Sequence, residues 1–193
     1  MSSRSAVVPT PIRRASPLPP EERRVAIIGA VLPLLIDRGV GVTSREIAAA
    51  AGVSEGTLFN VFGDKDELID AAVEAAVDPA PFESAVASID PSLDLREQLV
   101  EATTLIQRRV VDIWKLVSQL DASRHHRSKH RPLPDSPALI ALIGAVGERF
   151  VEPPDEAARL LRALTLSLTH PMMTERPRPA GAIVDIFLNG VGR

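Results

Sequence analysis

TSREIAAAAGVSEGTLFNVF, the sequence of residues 43–62, contains the signals for two short helices separated by a glycine turn. Thr43 and Glu46 have the spacing of a capping box, in which the threonine hydroxyl accepts the Glu46 backbone N–H and the carboxylate reaches back. A helix is therefore expected from Ser44. Gly52 is expected to end that helix in the left-handed conformation, which glycine adopts without strain.

The second half of this stretch predicts a short helix with one buried and one exposed face. Ser54 is a second N-cap, and Leu58 and Phe62 point inward at a spacing of four residues. The outward residues are Glu55, Gly56, Thr57, Phe59 and Asn60. A helix of about two turns has no reason to be stable alone, so its value lies in presenting that outer face, as a recognition helix does in the major groove. An ordinary helical hairpin with a glycine turn is the alternative.

The wider stretch of residues 24–77 reads RVAIIGAVLPLLIDRGVGVTSREIAAAAGVSEGTLFNVFGDKDELIDAAVEAAV. It closely resembles the N-terminal domain of the tetracycline-repressor (TetR) family of one-component transcriptional regulators. The strongest matches are Asp37-Arg38-Gly39, Ile47-Ala48, Ala51-Gly52-Val53-Ser54, Gly56-Thr57-Leu58-Phe59, Phe62-Gly63, Lys65 and Leu68. The resemblance implies a DNA-binding domain, a helical body with a small-molecule pocket, and a homodimer.

The residues expected to contact DNA lie on the two short helices and at the start of the next one. They are Thr43, Ser44, Arg45, Ser54, Glu55, Gly56, Thr57, Phe59, Asn60 and Lys65. Thr57 and Asn60 are expected to read bases. Ser44, Arg45 and Ser54 are expected to bind phosphates, which orient a protein without reading sequence. The resemblance implies that Lys65 donates to a phosphate.

Three positions depart from the usual TetR pattern. Phe59 stands where a tyrosine is usual, so a hydroxyl contact to phosphate is lost, and Val61 replaces a frequent histidine. Glu55 brings a carboxylate near phosphates, which repel it unless it accepts from a cytosine amine. Residues 21–78 carry five basic and eleven acidic side chains, a net charge of −6, although DNA-binding domains tend to be basic. These departures favour an alternative, a helical ligand-binding or adaptor protein that has lost DNA affinity.

Helix signals also flank this stretch. Pro20 and the carboxylates after it mark the start of a first helix. Pro33 is expected to kink that helix, at a cost of about 3 kcal/mol against a regular residue. Asp64 opens a connecting helix over about residues 65–78.

The N-terminal arm, residues 1–19, is rich in proline and serine and is expected to be disordered. It contains Arg4, Arg13 and Arg14 and no acid. One hypothesis is that it tracks the DNA backbone or a minor groove, and the other is that it is an unstructured leader. A secretory signal is not expected, because no apolar stretch of signal-peptide length follows the arginines.

Composition and motifs argue against several other classes of protein. The absence of cysteine excludes disulfides and thiol chemistry, and it fits a reducing cytoplasm. No apolar run approaches the roughly 18–20 residues of a membrane span, so a soluble cytoplasmic protein without a membrane partner is expected. Phosphate-loop and esterase motifs are missing, so we expect no enzyme, no catalytic residue and no cofactor. Residues 123–131 contain three histidines among four cations, which favours a solvated loop over a metal site.

From Pro79 onward every substantial segment has helical periodicity, which predicts an all-α protein of about nine helices. An N-terminal three-helix helix-turn-helix domain would be followed by a C-terminal bundle for ligand binding and dimerisation. The body helices are predicted over about residues 81–88, 90–122 in one or two pieces, 136–150, 154–168 and 179–189. The predicted domains are the arm at 1–19, the DNA-binding domain at 20–66 and the body at 79–193.

Two sets of apolar residues in the body have predicted roles, both implied by the resemblance. The pocket walls are Leu105, Ile106, Val110, Ile113, Trp114, Val117, Ile143 and Phe150. For Trp114, the sole tryptophan, a plain core position is the alternative. The dimer interface is Leu160, Leu161, Leu164, Leu168, Ile183, Ile186 and Phe187. Burial of those two stripes within their own body is the alternative there.

The expected function is a one-component transcriptional repressor that binds a palindromic double-stranded DNA operator as a homodimer. The resemblance implies release by a small-molecule effector. Few polar residues interrupt the predicted pocket walls, so the effector is expected to be apolar or amphipathic.

Overall fold

The computed structural model describes residues 19–120, 134–145 and 150–191. The predicted all-α architecture is confirmed. Its helices are α1 (Pro20–Arg38), α2 (Ser44–Ala50), α3 (Glu55–Phe62), α4 (Lys65–Val77), α5 (Ala80–Ala87), α6 (Leu95–Val117), α7 (Pro137–Gly144), α8 (Pro154–Ser167) and α9 (Ala180–Val191). The arginines of the arm and the histidine-rich stretch 123–131 lie outside the described residues. We call α1–α4 the head and α5–α9 the body.

Each short helix of the head begins at a side-chain cap, as the sequence predicts. The Thr43 hydroxyl accepts the Glu46 N–H, the Ser54 hydroxyl accepts the Thr57 N–H, and an Asp64 oxygen accepts the Glu67 N–H. Gly52 has a φ of 65°, the left-handed conformation expected at the turn between α2 and α3. The predicted helix-turn-helix is therefore present, and its turns are determined by local hydrogen bonds.

The head has its own apolar core, to which the body contributes one residue. The core residues are Ile27, Val31, Leu35, Val42, Ile47, Ala48, Leu58, Phe62, Leu68, Ala71, Ala72 and Leu116. Leu116 comes from the far end of α6 and is fully buried. Pro33 lies on the exposed side of α1, and the helix runs through it without interruption from Pro20 to Arg38. The head is thus closed on one side by the last turns of α6.

The body packs the remaining helices around the other half of α6. Its core residues are Val86, Leu95, Leu99, Ala102, Ile106, Leu139, Ile143, Phe150, Ala157, Ala158, Leu161, Val184 and Phe187. Helix α6 contacts α5, α8 and α9 in the body and α1 and α4 in the head. This long helix therefore belongs to both cores.

Two predicted helix bounds in the body are wrong. Helix α6 begins at Leu95 rather than near residue 90, because Asp94 and Glu97 form a capping box there. Asp90 instead accepts the Ser92 N–H in a turn before the helix. Helix α7 ends at Gly144, so it does not reach Phe150.

Among the described residues, no helix is both long enough and apolar enough to cross a membrane.

Candidate nucleic-acid interface and ligand cavity

The outer face of α3 is presented to solvent while its inner face is anchored. Leu58 and Phe62 are 2% and 0% exposed, whereas Phe59 on the same helix is 37% exposed. Glu55, Gly56 and Asn60 are also exposed, and Thr57 is half-buried. The anchoring fixes the orientation of the exposed side chains, as reading of base edges requires.

Two hydroxyls at the start of α3 are already linked to each other. The Ser54 Oγ accepts the Thr57 N–H at 3.1 Å and lies 2.9 Å from the Thr57 Oγ1. A hydroxyl has one proton to donate, so whichever of the two donates in this pair, the other keeps its proton for an outside acceptor. The pair can therefore offer one donor to a phosphate or a base without losing the cap.

The start of α2 contains a tighter network. Glu46 Oε2 accepts both the backbone N–H and the hydroxyl of Thr43, each at 2.8 Å. The guanidinium of Arg38 lies 2.7 Å from the other carboxylate oxygen. Hydrogen bonds from Thr43 and then from Arg38 lower the pKa of Glu46 to about 2. The Thr43 hydroxyl is thus occupied within the head, while Arg45 is exposed beside it and Ser44 is half-buried.

The basic side chains of the head differ in how they are held. Arg24 lies 3.3 Å from Glu67 and 4.5 Å over the ring of Phe62, and Arg38 is bound to Glu46. Within the described residues, neither Arg45 nor Lys65 forms an ion pair with a carboxylate. These two side chains, on α2 and at the first residue of α4, lie on either side of α3 in the chain.

A second candidate site is a cavity of about 340 Å³ in the body, lined by the end of α4 and by α5, α6 and α8. Its volume lies in the range of small-molecule sites. Five of the residues predicted as pocket walls line it: Ile106, Val110, Ile113, Trp114 and Val117. Its other lining residues are Val77, Pro79, Phe82, Glu83, Arg109, Pro134, Asp135, Arg162, Leu166 and His170.

Three of the predicted pocket walls lie elsewhere. Ile143 and Phe150 are 1% and 5% exposed and fill the core of the body. Leu105 packs against that core from another side of α6 and lines a separate groove. The prediction placed these three in the same wall as Ile106 and Trp114, but apolar spacing does not reveal which face of a helix the protein's own core covers. Conversely, Trp114 lies at the cavity, with its ring centroid 4.7 Å from that of His170 in an edge-on arrangement.

The sequence interpretation missed the charged residues of the cavity. Arg109 lies three residues after Ile106 and four before Ile113, so the helical spacing of the apolar wall already contained it. No comparable signal pointed to Arg162 or Asp135, because α8 and the segment before α7 are brought there only by tertiary packing. The cavity is therefore less uniformly apolar than predicted.

Arg109 joins the cavity to the end of α4. Its guanidinium donates to the backbone carbonyls of Val77 at 2.6 Å and Asp78 at 2.8 Å. Burial, and then the charge of Arg162, lower the pKa of Arg109, against the opposite influence of Asp78 and Glu83. A cation at the carboxyl end of a helix satisfies carbonyls that have no partner within the helix.

The predicted dimer residues separate into three groups by exposure. Leu161, Ile183 and Phe187 are 0%, 0% and 3% exposed, so they pack within their own body and are not available to a partner. Leu164 and Leu168 are half-buried. Leu160 and Ile186 are 43% and 42% exposed. The prediction assigned both sides of α8 and α9 to one interface, because sequence spacing does not reveal which side the protein's own core covers.

Three comparisons bear on this geometry. Residues 27–72 match the family described as bacterial regulatory proteins, tetR family. An HTH-type transcriptional repressor of Mycobacterium tuberculosis is 40% identical over 67 residues, which cover 34% of this chain and 36% of that repressor. The matched segment thus spans about a third of the length of that relative.

Solved structures share the fold along nearly the whole chain. A TetR-family regulator of Mesorhizobium loti superposes with a TM-score of 0.61 at 20% identity, covering 92% of this chain and 100% of that one. A transcriptional regulator of Saccharomonospora viridis in complex with choline gives 0.57 at 22% identity, covering 90% and 99%. At such identities the likeness concerns the fold.

Proposed function

This chain belongs to the TetR family of bacterial transcriptional regulators, and from that premise we propose that it is a repressor that binds a palindromic DNA operator as a homodimer in the cytoplasm. Proteins of this family bind DNA and are not enzymes. In this proposal residues 20–66 form the DNA-binding domain, α4 connects it to the body at residues 79–193, and a small apolar or amphipathic effector in the cavity releases the DNA.

The observation that carries the proposal is the outer face of α3. Its residues are exposed except for the half-buried Thr57, the inner side chains of α3 are fixed in the head core, and the N-terminus of the helix is capped. Arg45 and Lys65 provide cations on the flanking helices α2 and α4. Lys65 is the first residue of α4, where the positive end of the helix dipole also favours a phosphate.

We assign base reading to Thr57 and Asn60, and we assign contacts with sugar or thymine methyl groups to Phe59. Ser44, Arg45, Ser54 and Lys65 would bind phosphates. Thr43 and Gly56 would lie beside the backbone of the DNA. Glu55 would then accept from a cytosine amine, because elsewhere in the groove the phosphates would repel it.

The proposed homodimer would use the exposed residues of α8 and α9. Leu160 and Ile186 provide apolar surface on these two helices, with the half-buried Leu164 and Leu168 beside them. A two-fold axis there would set two recognition helices about 34–36 Å apart, which suits successive major-groove faces of a palindrome.

The charge of the head favours one alternative function. Residues 21–78 have five basic and eleven acidic side chains, net −6, and Arg24 and Arg38 are already bound to carboxylates. A helical ligand-binding or adaptor protein without DNA affinity would account for this charge. The two functions differ in whether the protein binds duplex DNA at all.

The deciding experiment is selection of a random duplex library by the purified protein at moderate salt, followed by sequencing. We expect enrichment of one palindrome. The salt dependence of binding to that palindrome is then measured for Lys65→Gln, which should reduce the slope by about one unit per protomer. Arg108→Gln, on the exposed side of α6, is the matched control and should leave the slope unchanged. A library with no enriched sequence would support the adaptor function instead.

A further inference from the structure

The body cavity combines apolar walls with two guanidinium groups. Arg109 on α6 and Arg162 on α8 both line it, among Phe82, Ile113, Trp114 and other apolar side chains. The charge of Arg162 is one of the causes that lower the pKa of Arg109, so the two groups act on each other across the cavity. The lining also contains the carboxylates of Glu83 and Asp135, and a neutral ligand would give the two arginines no acceptor of matching charge.

The carboxylates of the cavity attract these arginines through space, as Glu83 does Arg109 and Asp135 does Arg162, but none of them forms an ion pair with either arginine among the described residues. Glu83 accepts the Ala138 N–H at 2.9 Å and so caps the start of α7. Both oxygens of Asp135 accept from Arg159, at 2.9 and 3.2 Å, and this hydrogen bonding is the main cause of its lowered pKa. Each acid is thus held by a partner outside the pair of cavity arginines.

The two cavity arginines are bound to backbone carbonyls rather than to acids. Arg162 donates to the Pro134 carbonyl at 2.6 Å, and Arg109 donates to the carbonyls of Val77 and Asp78. Among the described residues, neither forms an ion pair with a carboxylate. A guanidinium has five N–H donors, so both arginines keep donors for a ligand.

The chemical class of the ligand can be inferred from how a bound molecule would affect the free N–H donors of the two guanidiniums. An apolar molecule would displace water from both guanidiniums, and a buried charge without a partner is strongly unfavourable. A carboxylate or phosphate would instead accept charge-assisted hydrogen bonds from them. We propose that the cavity binds an apolar molecule with one anionic group, held by Arg162 and Arg109, while its apolar part lies against Trp114 and Phe82. This inference rests on the proposed function in identifying that molecule as the effector.

Trp114 provides the measurement, because it is the only tryptophan and lines the cavity. Its fluorescence is recorded for the full chain at neutral pH during titration with octanoate, octanol and octylammonium, which share one chain length and differ in head-group charge. We expect saturable change with octanoate at an affinity about 10- to 100-fold above that for octanol, and the weakest response with octylammonium. Equal or tighter binding of octanol or octylammonium would overturn the proposal, as would no saturable binding of any of them.

Variants then locate the anionic group. Arg162→Gln should remove most of the preference for octanoate over octanol, whereas Arg162→Lys should keep part of it because the charge remains. Arg108→Gln, one residue from Arg109 but outside the cavity, should behave as the parent protein. Circular dichroism checks that each variant keeps its helices. An unchanged preference in folded Arg162→Gln would overturn the role of Arg162.

The anionic ligand and the DNA-binding function can be rejected independently of each other. Octanol preference together with an enriched palindrome would reject the anionic ligand and keep the DNA-binding function. Octanoate preference without an enriched palindrome would keep the anionic ligand site and favour the adaptor.

Discussion

The head and the body are held in place by different kinds of interaction. Each of the three short or connecting helices in the head, α2, α3 and α4, begins at a side chain that accepts an N–H three residues later. In the body α6 and α7 are capped in the same way, whereas α5 and α8, like α1 in the head, follow a proline and have no side-chain cap. Arginines also join distant parts of the body, as Arg96 does with Asp185, 89 residues away, at 2.8 Å. Local caps thus begin most helices of the head, whereas the body relies more on partners far along the chain.

This difference matches what each region does in the proposed function. A DNA-reading face has to keep one geometry, and local caps with a closed core provide it. A ligand site needs space, and the body leaves a cavity beside α6 where distant segments meet. The contrast also explains why sequence patterns are more informative about the head.

The largest effect is expected from Phe62→Ala, which tests whether caps alone maintain the head. Phe62 is fully buried, so the change should lower the free energy of unfolding by about 3–5 kcal/mol. The matched control is Phe59→Ala on the same helix, whose side chain is exposed and whose loss should have little effect on stability. Chemical denaturation followed by circular dichroism measures both. Similar stability of the two variants would show that the core contributes little and the caps dominate.

A smaller effect is expected from Arg109→Gln, which tests how firmly the body holds the head. The variant loses two charge-assisted hydrogen bonds to the last carbonyls of α4, at about 1–3 kcal/mol. Hydrogen exchange should become faster in the last turn of α4 before it does so in α3. Arg108→Gln keeps these bonds and should leave the exchange unchanged. Uniform acceleration throughout the head would contradict a local role for Arg109.

The caps themselves are tested by Thr43→Ala and Thr43→Ser. Removal of the hydroxyl should cost about 1 kcal/mol, because the first turn of α2 loses its acceptor, whereas serine restores the oxygen. Thermal unfolding of the two variants and the parent gives the comparison. If serine behaved like alanine, the methyl group of Thr43 rather than its cap would be the stabilising feature.

The smallest effect concerns the pH dependence of the head. Glu46 has a pKa of about 2 in the folded protein, below its usual 4.5. A lowered folded pKa stabilises the protein above the unfolded value, and this contribution is lost as the pH falls from 4.5 toward 2. Glu46→Gln keeps a capping side chain without the charge, so its melting temperature should fall less over this window than that of the parent. Glu55→Gln is the control. If the melting temperature of Glu46→Gln fell as steeply as that of the parent, the lowered pKa of Glu46 would not contribute to stability.

The head could be read from the sequence because its signals act over three or four residues. The caps at Thr43, Ser54 and Asp64 and the left-handed Gly52 are local, and all four are confirmed. In the body the same kind of signal predicted the start of α6 at Asp90, which is wrong. Asp94 is the N-cap, and it has Glu97 three residues after it to complete a capping box. A capping signal predicts a helix start reliably where the sequence offers a single candidate N-cap residue.

The faces of the body helices could not be predicted by such rules. Leu160 and Leu161 are adjacent in sequence, yet one is 43% exposed and the other is fully buried. Which of them enters the core depends on α6 and α9, and those contacts are not encoded near residue 160. Arg162 was not predicted as a cavity residue for the same reason, because it reaches the cavity only when α8 packs against α6. DNA contacts and the domain limits stay predictions.

Helix α6 has a mechanical consequence for these two regions. Leu99 is buried in the body core and Leu116 in the head core, on one continuous helix. The two residues are seventeen positions apart in the sequence, which corresponds to about 25 Å of helix. As a rigid lever of that length, α6 would move Leu116 by about 2 Å for a tilt of about 5° at its body end. Adjustments too small to disturb packing around Leu99 are thereby amplified at the wall of the head.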